Sequence, residues 1–117
     1  YGDHGSTFGG NPVCCAGALS ILSRIDDALL EQVCKKAAYL CDRFQGADGI
    51  EGVSGLGLMM GLKTTRPASQ VVSDCREQGV LCLTAKDKVR LLPPLNISFE
   101  DLAEAADVIL AAAARPC

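Results

Sequence analysis

The sequence predicts an α+β fold in which helices pack on one face of a small antiparallel sheet. Two observations predict it. Segments in which apolar residues recur at helical spacing alternate with short runs of valine and leucine that are typical of strands. Glycine, proline and helix-capping residues bound these segments. The resulting order is loop, helix, strands, helix, strand pair, helix, and 117 residues suffice for one core but not for two.

The first long segment, 12–46, is predicted to be helical. Asn11 is a good N-cap, and Pro12 is favoured at the first helical position. Apolar residues keep a helical period along the segment, with a possible break near Ile25–Asp26. Gly46 stands where a glycine commonly ends a helix.

The middle of the chain predicts strands followed by a helix. Ile50–Thr64 combines valine, leucine and methionine with several glycines, which predicts either two short strands or one long bent strand. Pro67 then opens a helix, and Gly79 ends it.

The last third predicts a strand pair and a final helix. Val80–Leu83 and Lys88–Leu92 are expected to pair through the polar turn Ala85–Asp87. Ser98 with Asp101 resembles a capping box at the start of the last helix.

Composition argues against several classes of function. The net charge is −3 and the basic residues are scattered, whereas a nucleic-acid-binding protein would more often gather them on one face. No apolar run is long enough to span a membrane, and no signal peptide is visible at the first residues.

The seven cysteines are expected to be reduced, in a cytoplasmic setting, because their number is odd and no Cys-x-x-Cys pair is present. Five lie in helical stretches and are predicted to be buried thiols of the core, namely Cys14, Cys15, Cys34, Cys41 and Cys75.

The opening loop could bind an anion. Its glycines allow a close approach of the backbone, Ser6 and Thr7 can donate from their hydroxyls, and the N-terminus of the following helix favours negative charge. The alternative is a flexible glycine-rich entry to a helix.

A second candidate is Arg90, which lies between apolar neighbours in the predicted strand Lys88–Leu92. A guanidinium matches a carboxylate bidentately and would suit an amino-acid substrate. The alternative is a strand arginine that faces solvent.

Two motifs carry a resemblance to a known family. His-Gly-Ser-Thr-Phe-Gly-Gly-Asn-Pro at 4–12 and Arg-x-x-Pro-Pro-Leu from Arg90 onward resemble the class-III (ornithine-type) aminotransferases, which depend on pyridoxal 5′-phosphate (PLP), and most of all their acetylornithine-type members. The resemblance implies that Thr7, with Ser6 beside it, contacts the coenzyme phosphate in the other subunit of a homodimer. It also implies that Arg90 pairs with a substrate carboxylate.

The resemblance further implies the C-terminal small domain of a fold-type I PLP enzyme. The opening loop, 1–11, would then be the phosphate and interface loop. The small α+β domain would cover 12–117, with the connecting helix 12–46 at its start.

One segment departs from the family pattern. At 52–62 the family commonly has Val-Arg-Gly-x-Gly-Leu, whereas this chain has Ser54 in place of the arginine. The spacing of its glycines does not fit a dinucleotide-binding loop either. We interpret this segment as structural.

No catalytic residue is predicted in the chain. In the family, the lysine that forms the Schiff base precedes the Gly-Ser-Thr loop, and no lysine here has a matching motif. Lys35 and Lys36 are expected to face solvent on a helix, and the lone His4 is interpreted as a structural residue of the loop.

The resemblance implies an enzyme of amino-acid biosynthesis. The full-length protein would transfer an amino group from N-acetylornithine, or a related ω-amino acid, to 2-oxoglutarate in arginine biosynthesis, and the 117 residues alone would be inactive. The alternatives are a stand-alone, non-catalytic module that binds a small ligand or a protein, and a degenerate fragment with a structural role.

Overall fold

The computed structural model describes residues 4–116, so the loop residues 1–3 and Cys117 lie outside the described part of the chain. The predicted α+β fold with a small antiparallel sheet is confirmed. The elements are α1 (Pro12–Leu22), α2 (Asp27–Phe44), β1 (Ile50–Leu56), β2 (Met59–Thr64), α3 (Ala68–Glu77), β3 (Leu83–Ala85), β4 (Lys88–Leu91) and α4 (Phe99–Ala113).

The sheet has the strand order β1-β2-β4-β3, and all neighbouring strands are antiparallel. Because side chains alternate along a strand, the pairs Met60–Leu91 and Leu62–Val89 point to one face. All four side chains are buried. The opposite face carries the pair Gly61–Arg90 and is open.

Helices α2, α3 and α4 cover the buried face, so the prediction of helices on one side is confirmed. Their apolar positions at helical spacing meet the strands in one core. The helix residues in this core include Leu40, Phe44, Val71, Cys75, Leu102, Ala106 and Ile109.

The segment 12–46 forms two helices, separated at residues 23–26. Asp26 Oδ1 accepts a hydrogen bond of 2.8 Å from the N–H of Leu29, which gives α2 its own N-cap next to the expected break. Helix α1 has no buried residue. In the described part of the chain, no helix is both long and apolar enough to cross a bilayer.

The prediction that five cysteines are core thiols is wrong for three of them. Cys14 and Cys15 are exposed because α1 buries none of its residues against the described part of the chain, and Cys34 lies on the outer side of α2. Cys75 is fully buried, and a hydrogen bond with Cys82, together with burial, raises the pKa of its thiol. All six cysteines among residues 4–116 are free.

The strand predicted at Val80–Leu83 begins later than expected, at Leu83. The end of α3 explains why Val80 is not part of the strand: Gly79 has a φ of 84°, and the N–H of Val80 donates to the carbonyl of Cys75 over 2.9 Å. That N–H is therefore engaged by the helix. The turn to β4 is correspondingly shorter than Ala85–Asp87, since Ala85 belongs to β3.

The expectation that Lys36 faces solvent is wrong. Its exposed fraction is 6%. The ammonium donates to the carbonyl of Leu95 over 3.2 Å and lies 6.0 Å from the centroid of the Phe99 ring. The long aliphatic part of a lysine side chain can be buried while its ammonium group forms a polar contact. Lys36 thus ties α2 to the loop that follows β4, the strand of Arg90.

Lys36→Met in the full-length protein is expected to destabilise this domain by about 1.5–3 kcal/mol, the usual contribution of a hydrogen bond from a charged group. Native-state hydrogen exchange in α2 and β4 measures the change. Lys35→Met is the matched control, because Lys35 is exposed and, within residues 4–116, pairs only with exposed Glu31. An equal loss of stability in both variants would contradict a specific role for Lys36.

A mostly buried ion pair joins α3 to the end of α4. Arg66 Nη1 lies 2.8 Å from Asp74 Oδ2 and also donates to the carbonyl of Ala112, and Arg115 approaches the same carboxylate at 3.2 Å. The hydrogen bond from Arg66 holds the pKa of Asp74 below its ordinary value of 3.8.

This depressed pKa predicts a pH dependence. A carboxyl whose pKa is lower in the folded state stabilises the fold above its unfolded pKa and loses that contribution as pH falls through the folded pKa. The loss should therefore start near pH 3.8 and continue below it. We expect Asp74→Asn to be less stable than the wild type at pH 7, with the difference shrinking below pH 3.8. Hydrogen exchange in α3 at both pH values measures it, and a pH-independent difference would contradict the role of Asp74.

Candidate functional site

The opening loop presents its hydroxyls to the outside. Residues 7–10 form a turn in which Gly10 has a φ of 77° and the N–H of Asn11 donates to the carbonyl of Phe8 over 3.2 Å. Ser6 and Thr7 are both exposed. Among the described residues, no backbone N–H from Thr7 to Gly10 donates to another backbone group.

The helix that follows does not offer the donors that the sequence suggested. Asn11 Oδ1 accepts hydrogen bonds from the N–H groups of Val13 at 3.0 Å and Cys14 at 3.3 Å, and Pro12 has no N–H. The anion-binding capacity of this region therefore lies in the hydroxyls of Ser6 and Thr7 and in the N–H groups of the turn.

The second candidate, Arg90, lies in the centre of the open sheet face. It pairs with Gly61 of β2 on one side and with Leu83 of β3 on the other. Its side chain is exposed, and its guanidinium has no ion pair or hydrogen bond within residues 4–116. It is thus a free cation at a rigid position of the sheet.

Lys88 stands beside Arg90, two residues earlier on the same face of β4, and is half-buried. Its Nζ donates to Ser54 Oγ over 2.9 Å, and Ser54 Oγ donates to the carbonyl of Gly61 over 3.2 Å. A Cβ at Gly61 would meet Lys88 Cδ at 3.2 Å and Ser54 Oγ at 3.3 Å. The missing side chain at Gly61 therefore leaves room for Lys88 to lie across β2.

Sequence reasoning missed this arrangement. It treated Ser54 as structural and gave Lys88 no role, because the two residues are joined only by the register of three strands. The available signal was the alternation of side chains, which places Lys88 and Arg90 on one face.

A third cation on this face, Lys63, already has a counterion. Lys63 is paired with Lys88 across β2 and β4, and its Nζ lies 3.0 Å from Glu51 Oε2. The hydrogen bond and charge of Glu51 raise the pKa of Lys63. Within residues 4–116, neither Lys88 nor Arg90 forms an ion pair.

Large apolar side chains next to these cations are exposed to solvent. The exposed fractions are 90% for Leu56, 57% for Met59, 59% for Leu83 and 60% for Leu92. A face with exposed apolar side chains around free cations is typical of a surface that contacts a ligand or another part of a protein.

The structure does not bring the two candidate regions together within this chain. No hydrogen bond or ion pair among residues 4–116 joins Ser6 or Thr7 to the sheet. The same part of the chain contains no group of three or more His, Cys, Asp or Glu residues that could hold a metal ion. A cavity of about 430 Å³ between α2, α4 and the loop after β4 is lined mainly by apolar side chains, and none of Ser6, Thr7 and Arg90 lines it.

Known proteins are similar to this chain in sequence and in fold. The sequence profile of the family described as Aminotransferase class-III matches residues 1–113. The acetylornithine aminotransferase of Haemophilus ducreyi is 44% identical over an alignment of 110 positions that covers 92% of this chain and 28% of that protein. The acetylornithine aminotransferase of Rhodobacter capsulatus is 43% identical over an alignment of 120 positions that covers 97% of this chain and 30% of that protein.

Solved structures give the same result. Acetylornithine aminotransferase from Elizabethkingia anophelis superimposes with a TM-score of 0.78 at 30% identity, covering 96% of this chain and 32% of that one. Ornithine δ-aminotransferase from Plasmodium falciparum gives a TM-score of 0.72 at 29% identity, covering 96% of this chain and 31% of that one. The chain thus spans about 30% of the length of the relatives it matches.

Proposed function

The chain belongs to the class-III aminotransferase family, and we propose that it is the C-terminal part of a PLP-dependent transaminase whose open sheet face binds the carboxylate of an amino-acid substrate. The observation that carries this proposal is Arg90, a cation without a partner among residues 4–116 on a rigid strand. The rest of the protein, beyond this chain, covers the open face.

The coenzyme of this family is PLP, and the donors of the opening loop are of the kind its phosphate requires. Ser6 and Thr7 offer two exposed hydroxyls, and the turn beside them offers N–H groups. When bound, PLP supplies the electron sink for amino-group transfer. The contribution of this chain is to hold the phosphate with Thr7 and, beside it, Ser6.

Arg90 binds and orients the substrate. Two N–H groups of one guanidinium fit the two oxygens of a carboxylate, and both ends of the reaction, amino acid and 2-oxo acid, carry one. Neighbouring strands hold its backbone on both sides, so the position is fixed before the substrate arrives. Proton transfer is assigned to a lysine outside these 117 residues, because no lysine of this chain has the sequence motif of the family's Schiff-base lysine.

The proposed substrates are N-acetylornithine, or a related ω-amino acid, as amino donor and 2-oxoglutarate as acceptor, in arginine biosynthesis. Support comes from the names of the relatives: the proteins of H. ducreyi, R. capsulatus and E. anophelis are acetylornithine aminotransferases. The R-x-x-P-P-L motif at Arg90 fits the same assignment.

The proposed partner is a second copy of the full-length protein, with the opening loop and α1 reaching the other subunit's site. Support comes from exposure, because α1 buries none of its residues against its own chain. Its side chains are nevertheless apolar, and those left in the open include Val13, Leu19, Ile21 and Leu22. We also propose a reducing, cytoplasmic setting, which fits the free cysteines.

A direct assay tests the proposal. The full-length protein, supplied with PLP, N-acetylornithine and 2-oxoglutarate, should form glutamate, whereas residues 1–117 alone should form none. Absence of glutamate with the full-length protein across ω-amino donors would refute the transaminase. PLP-dependent turnover by residues 1–117 alone would refute the assignment of the reacting lysine to another part of the protein.

A further inference from the structure

We propose that Cys75 and Cys82 form a dithiol site that a hydroperoxide oxidises to a disulfide, in which Cys82 reacts first and Cys75 then displaces the oxygen from it. The site lies on the helix side of the sheet, away from the open face that carries Arg90. The inference goes beyond the proposed function. In a reducing cytoplasm such a disulfide is transient, because cellular thiols reduce it again.

The fold brings the two cysteines together at the end of α3. The N–H of Val80 donates to the carbonyl of Cys75 over 2.9 Å, which turns the chain back over α3. Cys82 follows two residues later, directly before β3. Because Leu83 is paired with Arg90 of the open face, the alternation of side chains points Cys82 to the helix side. There Cys82 packs against the core in which Cys75 is fully buried.

The two thiols differ in reactivity although they are in hydrogen-bond contact. The hydrogen bond with Cys82, together with burial, raises the pKa of Cys75, whereas the same hydrogen bond lowers the pKa of Cys82. The thiolate is the form of cysteine that attacks an oxidant. Cys82 is also half-buried, while Cys75 is enclosed. Oxidation therefore starts at Cys82.

An apolar cavity gives a small oxidant access to Cys82. The cavity of about 430 Å³ between α2, α4 and the loop after β4 is lined by Cys82, and Cys75 is not among its lining residues. Apolar side chains such as Leu91 and Leu102 form most of its wall. A small uncharged hydroperoxide fits this environment better than a charged disulfide such as oxidised glutathione, since an apolar wall does not replace the hydration of charged groups.

The reaction has two steps. The Cys82 thiolate attacks one oxygen of hydrogen peroxide, the O–O bond breaks, and the other oxygen leaves as water after taking a proton, so that Cys82 becomes a sulfenic acid. The sulfur of Cys75 then attacks the sulfur of Cys82. The S–O bond breaks, and the hydroxide leaves as water with the proton of Cys75. In sum, two thiols lose two electrons and two protons, and one peroxide becomes two waters.

The contact also protects Cys82 from irreversible oxidation. A sulfenic acid that meets no thiol is oxidised further to sulfinic and sulfonic acids, which cellular thiols do not reduce. Cys75 already lies against Cys82, so the S–S bond can form with little movement of the backbone. Its thiol is therefore placed to react with the sulfenic acid before a second peroxide does.

Peptide mapping of the full-length protein tests the proposal. The protein is treated with a small excess of hydrogen peroxide, its remaining thiols are alkylated, and it is digested with trypsin. Trypsin places Cys75 and Cys82 in separate peptides, 64–76 and 77–86, each with no other cysteine. We expect these two peptides to be joined by a disulfide that dithiothreitol reverses. Oxidation of other cysteines of the protein without this linked pair would overturn the proposal.

Two variants test the order of the steps, with dimedone as the reagent that traps sulfenic acids. Cys75→Ala should raise the dimedone adduct at Cys82 about ten-fold over the wild type, because no neighbouring thiol removes the sulfenic acid. Cys82→Ala should lower the oxidation of Cys75 about ten-fold, because Cys75 is enclosed. Equal dimedone labelling with and without Cys75, or undiminished oxidation of Cys75 in Cys82→Ala, would overturn the assigned roles.

Cys41→Ala is the matched control, because Cys41 is also half-buried but lies on α2. The yield of the linked peptides should stay within about two-fold of the wild type in this variant. An equal loss of the linked peptides in Cys41→Ala and Cys82→Ala would contradict a specific pair. The wild-type map and Cys82→Ala decide the question even if Cys75→Ala does not fold. The readout is peptide mass, so the result does not depend on transamination.

Discussion

Replacing Arg90 with methionine in the full-length enzyme is expected to lower kcat/KM for the amino donor by about a hundred- to ten-thousand-fold. The guanidinium has no partner among residues 4–116, so its charge is available to the substrate. A hydrogen bond to a charged group contributes about 1.5–3 kcal/mol, and two are lost here. The kcat/KM of Arg90→Lys should lie between those of the wild type and Arg90→Met. Lysine keeps the positive charge but cannot donate two parallel hydrogen bonds as the guanidinium does.

The matched control for Arg90 is Arg76→Met on α3, which removes an exposed arginine far from the open sheet face. Its kcat/KM should stay within about two-fold of the wild type. In Arg90→Met, kcat/KM should fall much less for a primary amine without a carboxylate than for the amino acid. Equal losses for both donors would mean that Arg90 does not bind the carboxylate.

Replacing Thr7 with valine is expected to raise the dissociation constant of PLP about ten- to a hundred-fold. Valine keeps the shape of threonine and removes the hydroxyl that would donate to the phosphate, a charge-assisted hydrogen bond of about 1.5–3 kcal/mol. Titration of the full-length apoprotein with PLP, followed by absorbance, measures the constant. Ser69→Ala on α3 is the control, because it removes an exposed hydroxyl outside both the loop and α1.

Mixed dimers test whether Thr7 acts on the other subunit. A Thr7→Val subunit is paired with a subunit that lacks the coenzyme-binding lysine. If the loop reaches across, the site with the intact lysine receives an intact Thr7 from its partner and binds PLP tightly. Weak binding in this hybrid would place Thr7 in the site of its own subunit.

The elements that local patterns govern were predictable from the sequence. Pro12, Ser98 and Gly46 act within one turn of a helix, so their signals stand in the sequence itself. The start of β3 at Leu83 was not predictable in the same way. There the end of α3 takes the N–H of Val80, and propensity alone does not reveal that competition.

Long-range contacts explain the other differences. Lys36 has the pattern of a solvent-facing residue, yet the carbonyl of Leu95, far along the chain, gives it a buried partner. Cys14 and Cys15 have the pattern of core residues but lie on a helix that buries none of its residues among residues 4–116. Of the site residues, Arg90 was visible through its motif, whereas Lys88 required the register of the strands.

The most direct test of the central claim is reduction of the native, PLP-loaded full-length protein with borohydride, followed by peptide mapping. Borohydride fixes the coenzyme to the lysine that holds it. We predict one labelled lysine, in a peptide outside these 117 residues. A label on Lys35, Lys36, Lys63, Lys86 or Lys88, or no incorporation of coenzyme at all, would contradict the assignment of this chain as the substrate-binding and phosphate-binding C-terminal part of a transaminase.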